Sequence, residues 1–378
     1  MRKLTFELEF ITPAFIGGAE PGSAELRPAS FVGLLRWWWR VILATFVSEV
    51  EKIYKYESLL FGSQSKAGSA WLRMRALDTK VQIERLEGTV YMIGQGARGK
   101  EYIKPGTRFT LEILCPEEYE ELLSSLTELA VTLGGIGYRG RKGLGSMQVV
   151  GKDGVNLNLL KPEYWGEKIK NMGITQEGTN TLLPNLKNLT ILKYDYKVDP
   201  KSWEDALQNL GRVYRDIRLD GDRTYEYKSF ISNFLRGDRI NPQNVRLRSL
   251  PLGLPIMYQS RSLHRVETVG NRRREIKAQA QLTWKKDRED KEQDRRRASS
   301  IMFNIKRDGF YALAFRCAFL PEGASLRLQA KGKYWDRNPS GKPKDFYISW
   351  DVWNRMYEAM FQQIIEELKR KGFREVLP

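Results

Sequence analysis

Residues that build metal centres and disulfides are scarce in this sequence. It has one histidine, His264, and two cysteines, Cys115 and Cys317, among 378 residues. The cysteines lie in different halves of the chain without a CxxC spacing, so neither a disulfide framework nor a zinc site is indicated. Acidic residues form no cluster with metal-ligand spacing, and we therefore predict no metal and no other cofactor.

Long hydrophobic runs are also lacking. The main apolar run of the first third, VILATFV at 41–47, is far shorter than the roughly 20 residues that a membrane-spanning helix needs. The start, MRKLTFELEF, alternates between apolar and polar residues instead of forming the apolar core of a signal peptide. We therefore expect a soluble protein in the reducing cytoplasm.

Acidic residues are outnumbered by basic ones. Against 46 Asp and Glu residues the chain has 63 Lys and Arg residues, a formal net charge of +17. Such an excess in a chain of globular composition favours a polyanionic partner. The length suggests two domains of ordinary size, each able to bury its own core.

The first half predicts the order β, α, β, β, α, β. Period-two alternation indicates strands at 4–10, 70–77 and 107–114, and LGSMQVV reads as a closing strand. One long helix is expected to begin at an N-cap on Ser30, and a second helix is expected over 116–133. This order is typical of an α+β, ferredoxin-like (RRM-like) domain, which we assign to residues 1–150.

Residues 134–146, GGIGYRGRKGLGS, lie between the second helix and the last strand, and we call them the glycine-rich loop. Gly134 and Gly135 are expected to end the helix in left-handed conformations, while the other glycines let main-chain N–H groups approach a ligand. Arg139, Arg141 and Lys142 would bring positive charge to one small volume, which predicts an anion site. Nucleotide P-loops are excluded, because they follow a strand and open a helix. A solvated basic turn is the alternative.

The glycine-rich loop resembles that of the RAMP superfamily (repeat-associated mysterious proteins) of CRISPR systems, which has such a loop at this place in a ferredoxin-like domain. The segments TPAFIGG at 12–18, ELRPASFVGLLRWWWR at 25–40 and LFGS at 60–63 look like the first RAMP subunit of the Cmr-type (type III-B) RNA-guided effector complex. Val32 stands where this resemblance leads us to expect lysine. The resemblance spans residues 12–146 and weakens after residue 150.

The resemblance implies two ferredoxin-like domains and a non-catalytic subunit that binds CRISPR RNA near its 3′ end. Its partners would be CRISPR RNA and other RAMP subunits of the complex, and another subunit would cleave the target RNA. Whether this chain also binds target RNA stays open. The RNA-contacting residues that the resemblance implies are Arg27, Arg36, Arg40, Gly135, Gly137, Arg139, Arg141, Lys142, Gly143 and Ser146.

The three tryptophans of LLRWWWR point in directions about 100° apart on a helix, so they cannot all face one sheet. Trp38 lies on the apolar stripe and is predicted to be core. Trp37 shares a face with Gly33, Arg36 and Arg40. Arginine binds phosphate and aromatic rings stack on unpaired bases, so this face predicts either an RNA contact or a subunit interface.

The strand at 70–77 presents a similar choice. Trp71, Arg73 and Arg75 share one face of it. This face is either a nucleic-acid contact or a solvated outer face of the sheet.

The second half is interpreted as a connecting segment, 151–186, and a decorated ferredoxin-like domain, 187–378. Strands are expected at 188–196, 252–258, 300–306, 310–319 and 324–331, and helices at 203–217, 227–237 and 350–371. A basic insertion near 260–297 has few apolar anchors and is expected to be a long mobile loop, which either orders on RNA or stays solvated.

Two other functions stay open. A metal-independent endoribonuclease would use His264 for proton transfer, although nothing in the sequence places a partner beside it. A scaffold would bind only its protein neighbours, with its basic surface against acidic partners. Cleavage of RNA that is lost in His264→Ala would support the first, and failure to shift single-stranded RNA at low salt would support the second.

Overall fold

The structure is a computed structural model. It describes residues 1–377 except 21, 78–80, 88–89, 95–96, 153, 220–223, 242–246, 248, 255, 270–271, 287–296, 332–333 and 336–341. For residues 219, 224–229, 257–262, 264–269, 272–274 and 377 it describes the backbone alone.

The elements are numbered in chain order. The helices are α1 (Pro28–Phe46), α2 (Val50–Phe61), α3 (Glu120–Leu133), α4 (Pro162–Asn171), α5 (Trp203–Leu219), α6 (Thr224–Arg236) and α7 (Trp350–Arg370). The strands are β1 (Arg2–Phe10), β2 (Trp71–Ala76), β3 (Ile83–Arg85), β4 (Glu101–Ile103), β5 (Arg108–Cys115), β6 (Met147–Val149), β7 (Leu189–Asp195), β8 (Ile256–Val269), β9 (Arg272–Lys285), β10 (Ile301–Lys306), β11 (Gly309–Phe315), β12 (Ser325–Lys331), β13 (Phe346–Ile348) and β14 (Arg374–Leu377).

The fold is α+β with antiparallel sheets, as predicted. The first sheet has the order β2-β5-β1-β6 and the second the order β10-β11-β7-β14. In the first sheet β1 lies between β5 and β6, and β2 is at an edge. In the second sheet β7 lies between β11 and β14, and β10 is at an edge. Numbered by chain order within each sheet, both arrangements are 2-3-1-4. The alternation in β1 and β5 places Phe10 and Phe109 on the helix-covered face, where their rings stack with centroids 5.0 Å apart.

The chain divides into two compact units whose limits differ from the expected boundaries at 150 and 187. One unit consists of Met1–Tyr214, Ile301–Cys317 and Leu368–Pro378, and the other of Arg215–Ser300 and Ala318–Glu367. The first unit contains both sheets described above. None of the described helices has the length and apolar character needed to cross a membrane.

The first helix begins earlier than predicted. It starts at Pro28, with Arg27 as the N-cap, instead of after Ser30. Proline is favoured in the first helical turn, because its fixed φ suits a helix and its missing N–H would have no partner there. Helix α2 was not predicted at all.

The described part of the basic insertion is mostly strand, contrary to the predicted loop, and its residues 270–271 and 287–296 lie outside the described part of the structure. Within it, β8 and β9 pair as long antiparallel strands, and β9 pairs in turn with β12 in a sheet of order β13-β12-β9-β8. Ala278, Ala280 and Leu282 of β9 are fully buried at alternate positions. This period-two pattern was the available signal, and the surrounding charges concealed it.

Candidate nucleic-acid interface

The glycine-rich loop is a narrow turn whose two arms touch. Gly135 and Ser146 form an antiparallel bridge, and the Ile136 N–H donates to the Gly145 carbonyl oxygen at 3.0 Å. A Cβ atom at Gly145 would lie 2.0 Å from the Ile136 carbonyl oxygen, and one at Gly140 would lie 2.2 Å from that of Gly135. Glycine is therefore required here because the arms leave no space for side chains.

The left-handed conformations predicted for Gly134 and Gly135 are wrong. Gly134 ends α3 in an extended conformation, with φ −98° and ψ 167°, and Gly135 has no positive φ either. Close packing explains the first glycine, because its Cβ would lie 2.4 Å from the Ala130 carbonyl oxygen and 2.9 Å from Trp38 Nε1. The loop residues with positive φ are Gly137, Arg139, Gly143 and Gly145.

Strand β10 of the second sheet lies along the base of the loop. The Phe303 N–H donates to the Arg141 carbonyl oxygen at 3.0 Å, and the Ile305 N–H donates to Ser146 Oγ at 3.2 Å. Ser146 is fully buried, and its hydroxyl donates to the Gly143 carbonyl oxygen at 3.3 Å. Gly143 and Ser146 therefore lie in the interior, where they hold the loop in shape. The direct contacts that the resemblance implied for them do not suit this placement.

A buried lysine joins β10 to the end of α3. Lys306 Nζ donates to the Val131 carbonyl oxygen at 2.7 Å and also to that of Met147. Burial lowers the pKa of Lys306 to about 7, and the negative charge of Asp308 opposes this shift. A cationic or amine side chain is a suitable cap for the unpaired carbonyls at a helix C-terminus.

Two of the predicted arginines are paired within the protein. The fully buried Glu57 of α2 accepts hydrogen bonds from Arg36 Nη1 at 2.7 Å, Arg40 Nη2 at 2.9 Å and Arg40 Nε. Burial alone raises the pKa of Glu57, but the hydrogen bonds from Arg40 and Arg36 outweigh it and hold the pKa below its usual value. Arg36 also donates to the Phe61 and Gly62 carbonyl oxygens, so it links α1 to α2. Arg40 keeps 47% of its side chain exposed.

The three consecutive tryptophans of α1 are all buried or half-buried, which a helix covered by one sheet alone would not achieve. The core position of Trp38 is confirmed, but Trp39 is fully buried as well. Trp37 is half-buried, and its ring makes edge contacts with Trp38 and with Phe315 of β11, at centroid distances of 5.0 and 5.8 Å. Helix α1 thus packs against side chains of both sheets, which is why more of its circumference is covered.

A cleft of about 290 Å³ lies between α1 and the glycine-rich loop, and we call it the α1–loop cleft. Arg141 lies over the ring of Trp37, with Cζ 5.2 Å from the centroid. Gly33 is exposed, and a Cβ there would meet nothing within 4 Å. The predicted residues that the cleft brings together are Trp37, Arg40, Gly135, Gly137 and Arg141.

The other two cations of the loop contact different neighbours. Arg139 Nη1 donates to the Met92 carbonyl oxygen at 2.8 Å, and Lys142 Nζ donates to the Tyr214 hydroxyl at 3.0 Å. The three positive charges therefore do not converge on one small volume, contrary to the prediction. Tyr138 of the same loop is 39% exposed, and Lys100 Nζ and Arg139 Cζ lie 5.6 Å and 5.5 Å from the centroid of its ring.

Two other predicted residues, Arg27 and His264, are not among those that line this cleft. Arg27 is exposed at the start of α1 and donates to the Gly17 carbonyl oxygen at 3.0 Å. His264 lies in β8 opposite Lys277 of β9, and its side chain is outside the described part of the structure. Among the described residues, no group of three or more His, Cys, Asp or Glu is arranged to hold a metal ion.

Comparison with known proteins finds similarity to subunits of CRISPR systems. The RAMP superfamily model matches residues 7–148. CRISPR system Cmr subunit Cmr1-2 of Pyrococcus furiosus is 27% identical over 179 residues, covering 39% of this chain and 96% of the relative. Cmr subunit Cmr1-1 of the same organism is 28% identical over 219 residues, covering 51% of this chain and 65% of the relative. The crystal structure of apo Cmr1 from Pyrococcus furiosus aligns with a TM-score of 0.48 and 20% identity, over 85% of this chain and 90% of that one.

The family match includes α1 and the glycine-rich loop, which supply every residue that lines the α1–loop cleft except Met302 of β10. Over residues 7–148, the resemblance to the RAMP superfamily that the sequence motifs predicted is confirmed.

Proposed function

We propose that this chain is a non-catalytic, RNA-binding subunit of a type III-B CRISPR effector complex. The match to the RAMP superfamily at 7–148 and the likeness to two Cmr subunits support this proposal. In it, the chain binds CRISPR RNA near its 3′ end, beside other RAMP subunits, and another subunit cleaves the target RNA. The chain has 63 basic and 46 acidic residues, and this excess of positive charge suits a nucleic-acid partner.

The α1–loop cleft is the observation that carries the proposal. Arg141 and the half-exposed Arg40 offer guanidinium N–H groups, which bind phosphate oxygens with charge-assisted hydrogen bonds. The cation–π contact with Trp37 holds the Arg141 guanidinium in the wall of the cleft. Gly33 and Gly137 are exposed on opposite walls, so a sugar-phosphate strand can approach the main chain closely.

Tyr138 extends the proposed path beyond the cleft. Its exposed ring, flanked by Lys100 and Arg139, combines a stacking surface with cations, as in proteins that bind single strands without sequence preference. Most of the affinity would come from phosphate contacts and would fall with salt.

The proposal also includes the fold, which we take to contain two ferredoxin-like domains. We assign both sheets of the first compact unit to ferredoxin-like domains, because each has four antiparallel strands with the first strand between the third and the fourth. In the second domain the segment between α5 and β10 is the main decoration.

The substitution Arg141→Gln tests the function. Fluorescence anisotropy with CRISPR RNA should show weaker binding for all sequences alike, and the slope of log K against log salt should fall by about 0.7 for one lost phosphate contact. Lys170→Gln is the matched control, since it removes one positive charge from an exposed position on α4. Equal binding by folded Arg141→Gln and Lys170→Gln proteins would contradict the role of the cleft.

A second measurement separates binding from catalysis. CRISPR RNA incubated with the protein, with and without Mg²⁺, should remain intact. Cleavage that disappears in His264→Ala would replace the proposal by a metal-independent endoribonuclease.

A further inference from the structure

The first sheet has one face covered by helices and one open face. The open face consists of the side chains that alternate with the buried ones along β1, β5 and β2. The register places Trp71 of β2 directly opposite Leu114 of β5, and Arg73 opposite Glu112. The residues of this face on β1, β5 and β2 are Lys3, Thr5, Glu7, Glu9, Arg108, Thr110, Glu112, Leu114, Trp71, Arg73 and Arg75.

Trp71 is unlike the other tryptophans of the chain. It is 63% exposed, whereas the other nine are buried or half-buried. Its cross-strand neighbour Leu114 is also exposed, at 44%, so the two form an apolar patch at the edge of the sheet. A large aromatic side chain that contributes little to the core needs another reason to be there.

The charges beside Trp71 are unevenly distributed. The acidic residues of the face lie on β1 and β5, and Lys3 neutralises Glu112 in a salt bridge at 2.5 Å. In the part of the chain that the structure describes, neither Arg73 nor Arg75 takes part in a salt bridge. The hydrogen bond from Lys3, together with the charges of Lys3, Arg75 and Arg73, holds the pKa of Glu112 below its usual value despite some desolvation. Positive charge therefore follows β2.

We propose that the exposed side of β2, formed by Trp71, Arg73 and Arg75, is a second contact for single-stranded RNA. This inference rests on the proposed function, because it takes RNA to be the partner of the chain. Trp71 would stack on an unpaired base, and the two arginines, about 6.8 Å apart along the strand, would contact its neighbouring phosphates. Stacking of unpaired bases on aromatic side chains of a four-stranded sheet is an established way for proteins to read RNA.

The alternative occupant is a neighbouring protein. Its acidic side chains would meet Arg73 and Arg75, but a protein interface gives no special role to bases. The requirement for a base is therefore the property that the experiment measures.

The variants Trp71→Ala and Trp71→Phe test the stacking contact in the full-length chain. Binding of a single-stranded CRISPR RNA should be at least about fivefold weaker for Trp71→Ala, the lower bound for one lost base–aromatic stack. Trp71→Phe keeps a ring and should retain most of the affinity. On an oligonucleotide of the same length with abasic sites, Trp71→Ala and wild-type protein should bind equally. Tyr54→Ala is the matched control, since this ring is 55% exposed on α2.

The double variant Arg73→Gln/Arg75→Gln tests the phosphate contacts. It should lower the slope of log K against log salt by about 1.4, or about 0.7 for each contact to a single strand. A double variant of two exposed lysines, Lys161→Gln/Lys170→Gln, provides the same change of charge away from β2.

The outcomes separate this inference from the proposed function. If Arg141→Gln weakens binding while Trp71→Ala does not, β2 is no RNA contact and the cleft stands. A Trp71→Ala effect that persists on abasic RNA would overturn stacking. Loss of binding to a neighbouring Cmr subunit, with RNA affinity unchanged, would make β2 a protein interface. If no variant at either site changes RNA binding, both proposals fail.

Discussion

Gly33→Ala separates stability from binding at the α1–loop cleft. Gly33 is an interior position of α1, it is exposed, and an added Cβ would meet nothing within 4 Å. Glycine inside a helix is unfavourable relative to alanine, because it loses more conformational freedom on folding. Packing does not explain this glycine, whereas close approach of a ligand would.

The expected stability gain follows from these facts. Alanine should raise the free energy of unfolding by roughly 0.5–1 kcal/mol. For a cooperative unit of this size such a gain raises Tm by about 1–4 °C. If the methyl group displaces the RNA strand enough to break one charge-assisted hydrogen bond, the loss of about 1.5 kcal/mol corresponds to roughly tenfold weaker binding.

Differential scanning fluorimetry and RNA anisotropy measure the two effects. Gly166→Ala is the control, because Gly166 is also inside a helix, α4, and its added Cβ would make only ordinary contacts at 3.7 and 4.0 Å. It should raise Tm similarly and leave RNA binding unchanged. A lower Tm for Gly33→Ala would refute the conclusion that Gly33 has room for a Cβ atom. Unchanged RNA affinity would refute the close approach of RNA to α1 at this wall of the cleft.

Two further substitutions test the internal charges. Glu57→Gln should lower the free energy of unfolding in urea by about 3 kcal/mol, since Arg36 and Arg40 lose a buried carboxylate. Because the pKa of Glu57 is held below its usual value, its contribution to the free energy of unfolding is present at neutral pH and is lost as the pH falls through that pKa. If the difference in the free energy of unfolding between Glu57→Gln and wild type does not shrink in acid, the pairing is contradicted. Lys306 has a pKa lowered to about 7, so above pH 7 the unfolded chain binds more protons, and Tm should rise from pH 7 to 9 in wild type but less in Lys306→Met. Parallel pH profiles of the two proteins would show that Lys306 does not titrate in this range.

The first half of the fold was readable from sequence because its signals are local. Alternation in LTFELEF and TRFTLEIL specifies strands with one buried face, and β1 and β5 lie within two residues of the predicted limits. The apolar stripe of 116–133 gives α3 in the same way. Helix α2 was missed because its buried stripe includes Glu57, a residue that pattern analysis assigns to the surface.

The site was only partly predictable, because glycine content has two physical meanings. It indicates that something approaches the main chain closely, but not whether that is a ligand or the protein itself. At Gly140 and Gly145 the neighbour is the other arm of the loop, whereas at Gly33 it is open space. Similarly, the sequence favours Arg36 and Arg40 as ligand contacts, because it does not show that Glu57 of α2 is buried beside them and pairs with both.

The docking of β10 against the glycine-rich loop has a consequence for biosynthesis. The loop depends on hydrogen bonds from Phe303 and Ile305, which leave the ribosome roughly 160 residues after it. At typical translation speeds this delay is on the order of 10–30 s. A nascent chain that already contains the cleft residues of α1 and the glycine-rich loop therefore lacks the finished cleft, so premature capture of RNA by incomplete chains is disfavoured.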